Sequence, residues 1–172
     1  GTWQAAPKKD DGLIELLTRF GFALQPNLIM DPLNFRMTLP SADMSMYENI
    51  NYPFWPHVFR QETRLIPPLL PAGKAVQFFW PSEIVCTAVR GKTPHTLLSS
   101  SPRSVLQTPP YNTDPHGAQL ASAAASDHAS FPVAAFLSAE PQSTELQEAS
   151  GQNGGADNAR LAVVADEYCL ST

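Results

Sequence analysis

Apolar residues in this chain come in short runs, and proline or glycine closes most of them. Leu13, Ile14, Leu16, Leu17 and Phe20 recur at helical spacing. A short helix is predicted there, with Asp10 or Asp11 as its cap. Gly21 stands where a C′ residue ends a helix. Asn27 to Met30 reads as a short strand that stops at Asp31-Pro32. Helix, glycine, strand is the return stroke of an α/β unit. Ala75 to Trp80 is apolar in character, which predicts a strand covered on both faces. Glu83 to Val89, Thr96 to Ser99, Phe131 to Leu137 and Leu161 to Ala165 are further β-prone runs.

The segments between these runs are polar, aromatic or weakly patterned. Residues 1–11 read as a linker, and residues 12–172 as one α/β domain fragment. Tyr47, Tyr52, Phe54, Trp55 and Phe59 crowd into residues 40–60, with Pro53 and Pro56 among them. Two prolines so close argue against a helix interior or a central strand, so an ordered loop pinned by its rings is predicted. Residues 102–130 read as a long flexible loop with one helical turn around Ala118–Ala125. A brief helix is expected within 141–150, and 150–158 is a flexible turn by composition.

Composition narrows the function classes. Proline supplies 17 of 172 residues, about twice its usual ~5% share, which disfavours a helical bundle. The formal charge is −5, and the one adjacent basic pair, Lys8-Lys9, runs straight into Asp10-Asp11. A nucleic-acid surface or an anionic membrane needs a basic footprint that is missing here. No apolar run reaches the ~18–20 residues that span a bilayer. The chain starts Gly1-Thr2 and reads as a piece of a longer protein. Cys86 and Cys169 are too few for a disulfide framework and fit buried thiols or one bridge.

Candidate chemistry is sparse. Cys86 to Thr93 ends Gly-Lys-Thr like a phosphate-binding loop, but Cys86 replaces the opening glycine and Pro94 blocks the helix that the motif requires. A turn between two strands is expected there. A thiol nucleophile would need Cys86 or Cys169 beside one of His57, His95, His116 and His128. Cys86 lies in an apolar run without a sharp elbow. Ser99-Ser100-Ser101 lacks a nucleophile frame, and Asp114-Pro115-His116 and Asp127-His128 lack metal-ligand spacing. The aromatic segment is the best binding candidate. Tyr52, Trp55 and His57 offer flat faces for a sugar ring or an apolar partner, with Asn49, Asn51 and Arg60 around them. The alternative is that these rings fill a hollow under their own loop. Asp166 follows an apolar strand. In open α/β sheets that is where ligand crevices lie, so it joins the candidates, the alternative being a helix cap.

Gly12 to Leu17 with Phe20-Gly21, Asn27 to Asp31, Tyr52-Pro53-Phe54-Trp55-Pro56, Phe79 to Ser82, Lys92 to Leu98, Phe131 to Ala135 and Arg160 to Asp166 follow one another along the chain. In this order they resemble the gliding-motility auxiliary component of ABC-type transport systems. That family is similar to a domain proposed in intraflagellar transport proteins, with a fold like class I glutamine amidotransferases but without their catalytic residues. The resemblance implies a mixed, mostly parallel, flavodoxin-like sheet of about five strands, of which this chain holds the second half. It also implies a non-enzymatic accessory domain on the periplasmic or extracytoplasmic face of the bacterial inner membrane, anchored by segments outside this chain. Permease and ATPase subunits are the expected partners and a saccharide a possible ligand; no cofactor, metal or nucleic acid is expected. The competing readings are a Cys-His amidohydrolase and a structural spacer.

Overall fold

A computed structural model describes residues 4–5, 12–41, 44–59, 74–89, 92–139 and 161–166. In chain order it contains β1 (Gln4–Ala5), α1 (Leu13–Arg19), β2 (Phe22–Leu24), β3 (Leu28–Met30), β4 (Asn34–Pro40), β5 (Tyr47–Phe59) and β6 (Ala75–Gln77). There follow β7 (Ile84–Cys86), β8 (Lys92–Ser99), β9 (Val105–Gln107), β10 (Tyr111–Asn112), α2 (Pro115–Ala124), β11 (Pro132–Ala139) and β12 (Leu161–Val164). The expected helix within 141–150, the turn at 150–158, Cys169 and Arg60 lie outside the described residues.

The expected parallel sheet is not what these strands build. They form five small sheets, ordered β1-β10, β12-β11-β8, β2-β7, β3-β9 and β4-β5-β6, and every described pairing is antiparallel. A parallel pair needs a crossover of a dozen or more residues, usually through a helix. The described helices have only 7 and 10 residues. Strands that read as apolar runs are covered mainly by neighbouring sheets, with Leu17 of α1 and Ala118 of α2 completing the cover.

Three buried clusters hold the sheets together. β3 sits between two of them by simple alternation. Leu28 and Met30 join Met37, Tyr52, Phe54, Val105, Tyr111 and Ala118, while Ile29 turns the other way to Val58, Phe78, Leu98, Val133 and Ala134. Strand periodicity of two does this without any helix. β11 divides similarly, with Val133 and Ala134 in the second cluster and Ala135 and Leu137 in a third with Leu17, Phe22, Ile84 and Val163. Its pairing with β8 shifts register between Ala134 and Ala135, which re-aims the side chains. Each large apolar side chain so buried contributes about 1.5–3 kcal/mol.

α1 ends as its sequence predicts. Phe20 is the C-cap, and Gly21 follows at φ 81° with its N–H donating to the Thr18 carbonyl. The start differs, because Gly12 occupies the N-cap without a side-chain bond. Only Leu17 of its apolar face is buried; Leu13, Ile14 and Leu16 are exposed.

Two expected loops are ordered secondary structure. Residues 102–130 carry β9, β10 and the whole of α2. Asp114 caps α2 by accepting from Gly117 N at 2.8 Å, and Pro115 fills the first helical position. That pairing is a standard helix start. The aromatic segment is mostly β5, a thirteen-residue strand in the middle of its sheet.

β5 accommodates its prolines through a bulge. Asn34 pairs with Pro56 and Arg36 with Asn51, so Phe35 alone faces residues 52–55. Within the bulge the prolines need only accept. Pro53 O takes the Asp31 N–H at 2.9 Å, and Pro56 O takes the Phe78 N–H at 3.1 Å. A proline is excluded from a ladder where its missing N–H is needed, not where its carbonyl is.

The apolar run from Ala75 breaks earlier than expected. β6 stops at Gln77 and is only half-buried, and Trp80 adopts φ 49°, which an extended strand cannot hold.

Candidate functional site

The bulge of β5 builds a knot of rings. Tyr52 is fully buried. Its hydroxyl donates to the Thr113 carbonyl at 2.8 Å and accepts from Trp80 Nε1 at 3.1 Å. Burial pushes its phenol pKa up, partly opposed by those hydrogen bonds. Trp55 meets Tyr52, Phe79 and Trp80 edge to face, at centroid distances of 5.3, 5.3 and 5.8 Å. These are the favoured aromatic geometries. The Trp55 Nε1 is buried and has no hydrogen-bond partner.

The four predicted site residues fall into two places. Tyr52 and Trp55 are in the ring knot, where they pack on each other. Asp166 adjoins the knot: its carboxylate accepts the backbone N–H of Phe79 and is buried. That bond ties the end of β12 to the segment carrying Trp80. The described strands are all paired antiparallel, so the parallel-sheet argument that singled out Asp166 does not apply to them. His57 stands apart, with its ring between Phe35 at 4.3 Å and Phe59 at 4.9 Å.

An open cleft among the described residues lies elsewhere. A cleft of about 240 Å³ is lined by Pro32, Asn34, Asn51, Pro53, Arg103, Ser122 and His128. One wall comes from the start of β4 and the bulge of β5, the other from α2 and two turns. Asp31 sets the first wall. It is fully buried and its carboxylate accepts from Leu33 N, Ser101 N and Ser101 Oγ at 2.7–2.8 Å. The Asn34 amide then donates to the Asp31 and Pro32 carbonyls at 2.8 and 3.2 Å. Its orientation is fixed, because a flip would set oxygen against oxygen. Its Oδ1 is buried and receives no hydrogen bond.

A β-bridge helps to pin the second wall. Ser104 pairs with Ala129, with Ala129 N donating to Ser104 O at 2.9 Å. This brings the preceding residues together, and His128 Nδ1 lies 3.0 Å from the Arg103 carbonyl. Among the described lining residues Arg103 alone carries a permanent charge, and no described carboxylate pairs with it. Asn51 is exposed at the rim. The cleft thus offers a cation, amides and a hydroxyl around two proline rings.

Other candidate chemistry is placed less favourably. Cys86 pairs with Phe22 in the β2–β7 ladder, and burial pushes its thiol pKa up, away from the reactive thiolate. Beyond it Lys92 N donates to Val89 O at 3.0 Å, and Lys92 and Thr93 already belong to β8; the turn expected before them falls on residues 90–91, outside the described residues. Lys92 Nζ lies over the Phe20 ring at 5.3 Å. Among the described residues no group of His, Cys, Asp and Glu is arranged to hold a metal ion, and no helix is long and apolar enough to cross a membrane.

Sequence reasoning reached Asn51 but missed Asn34, Arg103 and Ser122, and it weighed His128 only as a metal ligand or catalytic base. Asp31-Pro32 carried a signal: a carboxylate two residues before an N–H it can cap, followed by Asn34. Nothing local marks Arg103, which the Ser104–Ala129 bridge delivers from a distance.

No curated protein and no solved structure gives a match. A family model described as ABC-type uncharacterized transport system matches residues 1–172. The chain therefore belongs to that family and is an auxiliary component of an ABC-type transport system.

Proposed function

We propose that this chain is a non-enzymatic accessory domain on the extracytoplasmic side of its transport system, in a gliding-motility context, and that it holds a small polar ligand beside the permease and ATPase subunits. The observation that carries the ligand is the cleft between β5 and α2, whose polar groups retain unused hydrogen-bonding and charge capacity. At about 240 Å³ it falls below the ~300–1,000 Å³ of sites for drug-sized molecules. It suits one sugar ring or a compound of that size. The placement and the gliding context rest on the ordered segments from Gly12 to Asp166 that resemble the gliding-motility component. The raised thiol pKa of Cys86 supports holding over bond-breaking.

Ser122→Cys tests this reading in cells, with Cys86 and Cys169 changed to alanine. A membrane-impermeant maleimide should label the new thiol without lysis, and a pool of neutral sugars and sugar acids at millimolar concentration should slow that labelling. Labelling only after lysis would contradict the placement, and indifference to the pool would contradict the ligand.

A further inference from the structure

We infer that the cleft selects a hydroxylated carboxylate, with the carboxylate on Arg103 and the hydroxyls toward Asn51 and Ser122. This rests on the ligand-binding reading above and names its chemical class. Four observations carry it. Arg103 is exposed at the cleft and no described acidic side chain pairs with it, although the chain has 16 acidic residues against 11 Lys and Arg. No Asp or Glu is among the described residues that line the cleft, so an anion entering it meets no like charge from them. The remaining polar lining is neutral amide and hydroxyl together with His128. The Arg103 backbone is held by the His128 contact and the adjacent Ser104–Ala129 bridge, so the guanidinium springs from a fixed base.

The charge and polarity of the lining disfavour a cation and an apolar guest. A cation would face Arg103 unscreened. A purely apolar guest would strip water from the guanidinium and amides without replacing their hydrogen bonds, which is costly. A guanidinium matches a carboxylate with two parallel bonds, and this geometry adds direction to attraction. Sugar acids and small hydroxy acids share this chemistry, and the cleft accommodates either.

Calorimetry with glucuronate, lactate and glucose tests the assignment. At least one of the two acids should bind at least tenfold more tightly than glucose, which is about 1.4 kcal/mol. Its affinity should fall as salt rises, because the rim pair is partly screened. Tighter glucuronate identifies a sugar acid, and tighter lactate a hydroxy acid; either outcome supports the inference. Arg103→Met should abolish the preference while far-ultraviolet dichroism stays unchanged, and Arg103→Lys should restore part of it. Glucose binding as tightly as both acids, or an acid preference that survives Arg103→Met, would overturn the inference and leave the binding reading standing. Heat from none of the three at millimolar concentration would overturn both.

Discussion

Two buried polar side chains decide the geometry around the candidate site. Tyr52 holds Trp80 and the Thr113 carbonyl with one hydroxyl, which joins the β5 bulge to the start of α2. Tyr52→Phe should cost about 1–3 kcal/mol in denaturant unfolding, since it leaves the Trp80 Nε1 without its acceptor. The raised phenol pKa has a sign. A proton acid with a raised folded value adds stability that is complete below its unfolded pKa of about 10. That stability is lost as pH rises through the folded value. Burial raises the Tyr111 phenol as well, so alkaline unfolding followed by phenolate absorbance should show Tyr52 and Tyr111 titrating late, with one late tyrosine fewer in Tyr52→Phe. Asp31 is the second anchor. Asp31→Ala strands two backbone N–H groups and a hydroxyl, and should lower stability by about 3 kcal/mol or more. Cys86 provides a third check at this scale. In a Cys169→Ser variant its thiol should react slowly with a disulfide reagent at neutral pH and at the free-thiol rate after denaturation.

Elements were legible where a local rule acts alone. Gly21 ended α1 as its position implied, and β3, β11 and β12 lie within or beside the predicted runs. Gly21 is also held by its surroundings. A Cβ there would sit 2.2 Å from the Thr87 carbonyl oxygen, at a φ that disfavours side chains. Gly21→Ala should cost at least about 2 kcal/mol, read as a lowered midpoint with an unchanged denaturant slope. Prolines misled where their role depended on partners. Pro53 and Pro56 argued for a loop because a ladder was assumed to need their N–H groups, whereas the bulge uses only their carbonyls. Pro94 is tolerated for a related reason: among the described strands β8 lies at the edge of its sheet, with β11 as its one ladder neighbour. At Asp114-Pro115 a helix-start signal was weighed only as a metal pair, and α2 went unpredicted in length.

At the level of the whole molecule, the apolar runs showed which segments are buried and left their partners open. A short run covered on both faces reads alike in a parallel sheet and in stacked antiparallel ribbons. Direction is set by connections, and the described connections suit antiparallel pairs. The same limit explains the site. Rings concentrated in sequence drew attention to Tyr52 and Trp55, yet they spend their faces on each other, and the open cleft is assembled from residues far apart in the chain. Family membership fixes the transport setting, and the cleft supplies the chemistry proposed for it. The central claim is that this surface holds a ligand and leaves it intact. A nuclear magnetic resonance titration of isotope-labelled protein with glucuronate and, separately, with lactate reads both halves at once. With at least one acid, shifts are expected at Asn34, Asn51, Arg103, Ser122 and His128, with a quiet Cys86 and ligand signals unchanged after prolonged incubation. Shifts centred on Cys86 with new ligand signals, or no shifts at the cleft with either acid, would overturn the claim.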